Sequence, residues 1–192
     1  MKRVIIVHGW SGKPDEHWLP WLKQQLEAKG FSVQVPQLPD ADTPRIEPWV
    51  AKVAQTVGTP DQDTFLVGHS LGNQAIARYL ATLKPGVTVG GVVFVAGFFK
   101  SLHTQEAPED QETARLWLTA PLDLAAVESH IKNSVAIFSD DDPDVPPENI
   151  GSFRDELGAE IVIEHGKGHF CESDGVTQLP SALTGVLKLA GA

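Results

Sequence analysis

Residues 65–74 read FLVGHSLGNQ, an apolar run followed by Ser70 held between Gly68 and Gly72. The pentapeptide alone is weak evidence, because glycine at about 7% of residues makes chance G-x-S-x-G matches common. Its weight comes from its neighbours. Residues 65–67 have the pattern of a strand and residues 73–83, NQAIARYLATL, that of a helix with small residues at its start. The serine therefore stands at a strand–turn–helix junction. A nucleophile held there adopts a strained backbone, so its flanking residues must be small for strand and helix to approach each other. The helix N-terminus is then aimed at any negative charge forming beside Ser70. The plainer alternative is a serine that only caps a helix in a glycine-rich turn, and the rest of the chain decides between them.

Outward from this junction, short β-branched runs at 3–7, 32–35, 65–67, 91–96, 135–139 and 160–164 alternate with segments of helical period. The helices are expected at 17–29, 44–57, 73–83, 122–131, 147–157 and 176–189. Strands alternating with helices imply right-handed crossovers and a parallel sheet covered on both faces, which explains the unbroken apolar runs VIIV and VVFV. The fold class is α/β. Residues 97–121 and the acid-rich 140–148 break the rhythm and are read as irregular. Ligands of open parallel sheets bind beyond the carboxyl ends of the strands, so the loops following the strands are where chemistry belongs.

The chain has 192 residues, of which 42% are hydrophobic and 21% charged, and no linker divides it. It reads as one domain spanning 1–192 with an ordinary core. No apolar run approaches the length of a membrane span, and MKRVIIVHGW has too short an apolar stretch for a secretory leader. A formal net charge of −10 with scattered Lys and Arg argues against nucleic acid as a partner. The single cysteine, Cys171, allows no internal disulfide and fits a reducing cytoplasm.

The first strand ends in His8-Gly9-Trp10-Ser11-Gly12, which would lie beside the strand leading into the Ser70 elbow, the strand–turn–helix junction, if the order is 2-1-3. The backbone amides of Trp10 and Leu71 could then converge on the oxygen of a tetrahedral intermediate. A phosphate-binding turn is the competing reading of this loop, but neither G-x-G-x-x-G nor G-x-x-x-x-G-K-[ST] occurs.

Serine needs a base, and with the chain order serine, acid, histidine only His165 and His169 follow the acidic loop. His169, in the turn GKGHF, is favoured over His165, which closes an apolar strand. The acidic loop offers Asp140, Asp141, Asp142 and Asp144. Asp142 is preferred as the orienting acid because Pro143 restricts its backbone, and Asp144 is expected to cap the helix that PPEN begins. The one-apart aspartates also suggest a calcium loop, yet Val145 and Gly151 occupy the offsets where glycine and glutamate should stand.

Together, HGW, HWLPWL, GHSLG, DDPDVP and GHF, in this order across nearly the whole chain, resemble the small serine hydrolases of the α/β-hydrolase superfamily. The likeness is to their YdeN-like or retinoblastoma-binding-protein-nine-like group. The resemblance implies a three-layer α/β-hydrolase fold, with a six-stranded parallel sheet of order 2-1-3-4-5-6 and no large lid domain. It maps the nucleophile on Ser70, the acid on Asp142 and the base on His169, with Asp141 the neighbouring alternative for the acid.

The expected activity is hydrolysis of small carboxylic esters through an acyl-enzyme intermediate, with no metal or organic cofactor. Phe98, Phe99, Leu102 and Trp117, from the irregular stretch, are expected to line the acyl pocket opposite Trp10. The rival reading is a hydrolase-shaped interaction module with little or no catalytic activity.

Overall fold

The computed structural model describes residues 1–103 and 107–192. Six parallel strands form one sheet: β1 (Arg3–Val7), β2 (Ser32–Gln34), β3 (Thr64–His69), β4 (Gly91–Val95), β5 (Ser134–Ser139) and β6 (Glu160–Glu164). Their order is β2-β1-β3-β4-β5-β6, as expected. The registers, such as Val7 opposite Gly68 and His69 opposite Val95, bring the carboxyl ends of β1, β3 and β4 level along one edge.

Strand side chains alternate between the two faces, and each face meets its own helical layer. Ile5, Val7, Leu66, Val92, Phe94, Ala136 and Phe138 face α2 (Ile46–Val57), α3 (Leu71–Leu80), α4 (Pro108–Thr119) and α5 (Leu124–Ser129). Val4, Ile6, Phe65, Val67, Val93, Val95, Val135 and Ile137 face α1 (Leu19–Ala28) and α6 (Pro180–Ala190). Full burial of each such side chain contributes about 1.5–3 kcal/mol relative to exposure. The helix after the elbow, α3, is buried along its whole length, so it spans the core rather than lying on the surface.

Two segments differ from expectation. Within 97–121 the chain forms α4, whose first turn has Pro108, Glu109 and Asp110, groups suited to a helix N-terminus. Residues 147–157 form a 3₁₀ turn (Pro147–Asn149) and then a π turn (Ser152–Glu156), in which Leu157 N donates to Ser152 O at 3.2 Å. Asn149 is fully buried between this region and the stretch after β4. Its Oδ1 accepts from the amides of Phe99 and Lys100, and its Nδ2 donates to Ser101 O and Pro146 O. The loop over the sheet edge is thereby anchored. Among the described residues, no helix is long and apolar enough to cross a membrane.

Candidate active site

Ser70 has φ +51° and ψ −123°, a conformation that a residue with a Cβ rarely adopts. The surroundings impose it. Ser70 N and Asn73 Nδ2 both donate to Val95 O, at 2.9 and 2.8 Å, tying the elbow to the end of β4. A Cβ on Gly68 would stand 2.2 Å from Asn73 Oδ1, and one on Gly72 would stand 2.5 Å from the carbonyl oxygens of Val7 and His8. The two glycines are thus required by close approach.

The turn after β1 lies against the serine, since a Cβ on Gly9 would be 3.0 Å from Ser70 Cβ. The buried imidazole of His8 fixes this turn: Nδ1 donates to Gly9 O at 2.9 Å and Nε2 accepts from Leu38 N at 3.0 Å. Trp10 Nε1 donates to Asp42 O at 3.1 Å, which orients the indole along the wall of the cleft.

Opposite stands the turn after β6. Phe170 N donates to Lys167 O at 2.9 Å, with Gly168 at φ +51°. The Asp174 carboxylate accepts from the amides of His169 and Cys171, both at 3.0 Å, and leaves no room for a side chain at position 168. His169 Nε2 lies 2.8 Å from Ser70 Oγ, while Nδ1 lies 3.0 Å from both oxygens of Asp142. The Asp142 side chain is 3% exposed, and its Oδ1 also accepts from the amides of Asp144 and Val145. Burial disfavours charge on His169, but the hydrogen bond and charge of Asp142, with Asp144 and Asp174 adding, outweigh it and raise the pKa above the ordinary histidine value. Such an arrangement holds Nδ1 protonated and leaves Nε2 free to take the Ser70 proton.

The structure therefore brings Ser70, Asp142 and His169 together and leaves the other candidates apart. His165 is largely exposed and pairs with Asp140 at 2.6 Å, while Asp141 accepts from Ser139 Oγ and Gly168 N. Asp144 does not cap the following turn; its carboxylate lies 3.9 Å from His169 Nδ1. The ligand atoms of Asp142, Asp144 and His169 lie within 4.8 Å of one another, close enough for a metal ion. Asp142 is committed there to hydrogen bonds with one imidazole and two amides.

Trp10, Leu71, Phe98 and Leu102 line a cleft of about 290 Å³ beside Ser70. Phe99 and Trp117 do not. Phe99 stacks on Phe153 at 4.7 Å, its backbone amide held by Asn149 Oδ1. Trp117 is buried under α4, where Nε1 donates to Pro44 O at 3.0 Å and the ring meets Trp49. Arg78 lies over the same ring and donates to the carbonyls of Trp117, Ala120 and Pro121 at the end of α4.

Asp110 of α4 and Cys171 also line the cleft, and neither was expected there. Little in the sequence signals Asp110, because 108–119 buries only Trp117 and so shows little apolar period. For Cys171 the signal was its place two residues beyond His169. Its thiol is pushed up to about 12 by burial and by the Asp174, Asp144 and Asp142 carboxylates, so it stays protonated at neutral pH.

Comparison with known proteins matches the serine hydrolase family over residues 4–188. The YdeN protein of Bacillus subtilis (strain 168) is 34% identical over 184 residues, covering 93% of this chain and 91% of that protein. The crystal structure of the same ydeN gene product superposes with a TM-score of 0.90 at 31% identity and covers both chains completely. The serine hydrolase RBBP9 of Rattus norvegicus is 26% identical over 171 residues, covering 88% of this chain and 87% of its own. With the family match spanning almost the whole sequence, and the sheet order and elbow already in place, this chain belongs to the serine hydrolase family.

Proposed function

We propose that the protein hydrolyses small carboxylic esters, with Ser70 as nucleophile, His169 as general base and acid, and Asp142 as the group that orients His169. The observation that carries this reading is the continuous hydrogen-bonded chain from Ser70 Oγ through His169 to Asp142, at 2.8 and 3.0 Å, opening on a cleft. Ser70 Oγ attacks the carbonyl carbon as its proton passes to His169 Nε2. The oxyanion collapses, His169 protonates the departing alkoxide, and an ester to Ser70 remains. Water, deprotonated by His169, then releases the acid and regenerates Ser70.

The oxyanion is held by the backbone amides of Leu71 and Trp10. Both residues line the cleft beside Ser70, and Leu71 is the first residue of α3, where an N–H has no partner within its helix. Each such donor contributes about 3 kcal/mol to the transition state. Phe98, Leu102 and Trp10 provide apolar contact for a short acyl chain, each buried CH₂ adding about 0.8 kcal/mol.

The test is rapid mixing with p-nitrophenyl acetate. This reading predicts a burst of nitrophenol approaching one equivalent per chain, absent in Ser70→Ala. A wild-type protein with no turnover of this or longer esters would instead favour an interaction role.

A further inference from the structure

His69, directly before Ser70, is 2% exposed and lies beneath the cleft rather than in it. Its ring packs against Trp18 at 5.8 Å, His17 at 5.6 Å and His169 at 5.2 Å. Nε2 lies 2.9 Å from the backbone carbonyl oxygen of His169. A carbonyl only accepts, so Nε2 carries the hydrogen and Nδ1 carries the lone pair. Nδ1 is buried and, among the described residues, has no hydrogen-bond partner. Adding a proton there would place an unsatisfied charge in the core, and burial together with neighbouring His169, His17 and His8 holds the pKa well below the ordinary value. The imidazole is thus held as a neutral donor and does not compete for the Ser70 proton.

The carbonyl it grips belongs to the peptide between His169 and Phe170. Phe170 has φ +59° with its ring fully buried, an arrangement that costs about 1–3 kcal/mol and needs support from its surroundings. The preceding peptide N–H, that of His169, is held by Asp174. Both peptides flanking His169 are therefore tied, one to Asp174 and the other to His69. The second tie crosses from the nucleophile's own chain neighbour to the base's own main chain, over 100 residues of sequence.

We propose that His69 is a positioning residue: its neutral Nε2–H fixes the His169 carbonyl and so sets the His169 imidazole at transfer distance from Ser70. The inference rests on the reading of Ser70 and His169 as nucleophile and base. It is tested with His69→Phe, which keeps a planar ring but removes the donor, and His69→Gln, whose amide N–H reaches a similar place. Active sites are counted by fluorophosphonate end-point labelling, folding is followed by thermal unfolding, and p-nitrophenyl acetate is the substrate.

His69→Phe is expected to lower kcat per labelled site about a hundredfold, the scale of an ångström-sized misplacement. KM should stay within about twofold, because the cleft wall is untouched. His69→Gln should recover most of the loss. Unchanged kcat per site in His69→Phe, or equal impairment of both folded variants, overturns the proposal. A merely structural role would lower the melting temperature and the number of labelled sites while leaving kcat per site intact. If neither variant folds, ¹⁵N spectra of the wild-type imidazoles decide: His69 should show one slowly exchanging Nε2–H and no titration over roughly pH 5–8. An Nδ1–H tautomer, or protonation in that range, contradicts the proposal. Turnover retained in Ser70→Ala would instead remove the reading beneath it, a result separate from any obtained at position 69.

Discussion

Asp142→Asn is the substitution whose consequence the structure specifies most completely. The amides of Asp144 and Val145 both donate to Asp142 Oδ1, at 2.9 and 3.0 Å. An asparagine must keep its oxygen there, since turning its NH₂ group toward two N–H donors would leave three donors facing one another. The NH₂ group is then directed at His169 Nδ1, 3.0 Å from the present Oδ2. The imidazole answers by placing its proton on Nε2, facing Ser70 with a hydrogen where a lone pair is needed. The fold and the cleft survive, but the base is in the wrong tautomer, a defect that lowers kcat about 10⁴-fold. That is about 5 kcal/mol of transition-state stabilisation. Because the Asp142 charge is also what raises the His169 pKa, the residual activity should show its acid limb at lower pH than wild type. The assay is steady-state p-nitrophenyl acetate hydrolysis across pH, with circular dichroism to verify the fold. A folded variant within tenfold of wild-type kcat would refute the argument that Asp142 sets the tautomer.

Wild-type kcat/KM requires neutral His169, and with the pKa raised by Asp142 it should climb with an apparent pKa above the ordinary histidine value of about 6.5; a midpoint below that value counts against the geometry. Gly72→Ala, whose methyl would sit 2.5 Å from two backbone oxygens, should cost about 3 kcal/mol in urea unfolding, and an unchanged midpoint would contradict the close approach at the elbow. Trp117→Ala should cost about 3–5 kcal/mol of stability yet leave KM for short esters unaltered, whereas a raised KM in a folded variant would return Trp117 to the cleft. His165→Ala should leave kcat near wild type, because its exposed pairing with Asp140 lies apart from Ser70.

The four inner strands β1, β3, β4 and β5 were legible because they carry apolar residues on both faces, as buried parallel strands must. GHSLG was legible because its glycines answer to two close approaches. The helix α4 was not. Of its residues only Trp117 is buried, so PEDQETARLWLT shows little apolar period. Its support comes instead from Pro108, from two acidic residues in the first turn and from the Glu112–Arg115 pair at 2.7 Å. Phe98 and Phe99 illustrate a second limit. One lines the cleft and the other stacks on Phe153, a choice made by the Asn149 side chain gripping the backbone from fifty residues away. His69 illustrates a third, since its partner is a main-chain carbonyl that no side-chain motif marks.

Reaction of the protein with a fluorophosphonate, followed by mapping of the modified peptide by mass spectrometry, determines whether Ser70 is the nucleophile and His169 its base. One phosphonyl group per chain is expected, on Ser70, absent in Ser70→Ala and formed far more slowly in His169→Ala. Labelling at another residue, or undiminished labelling of Ser70→Ala, would contradict it.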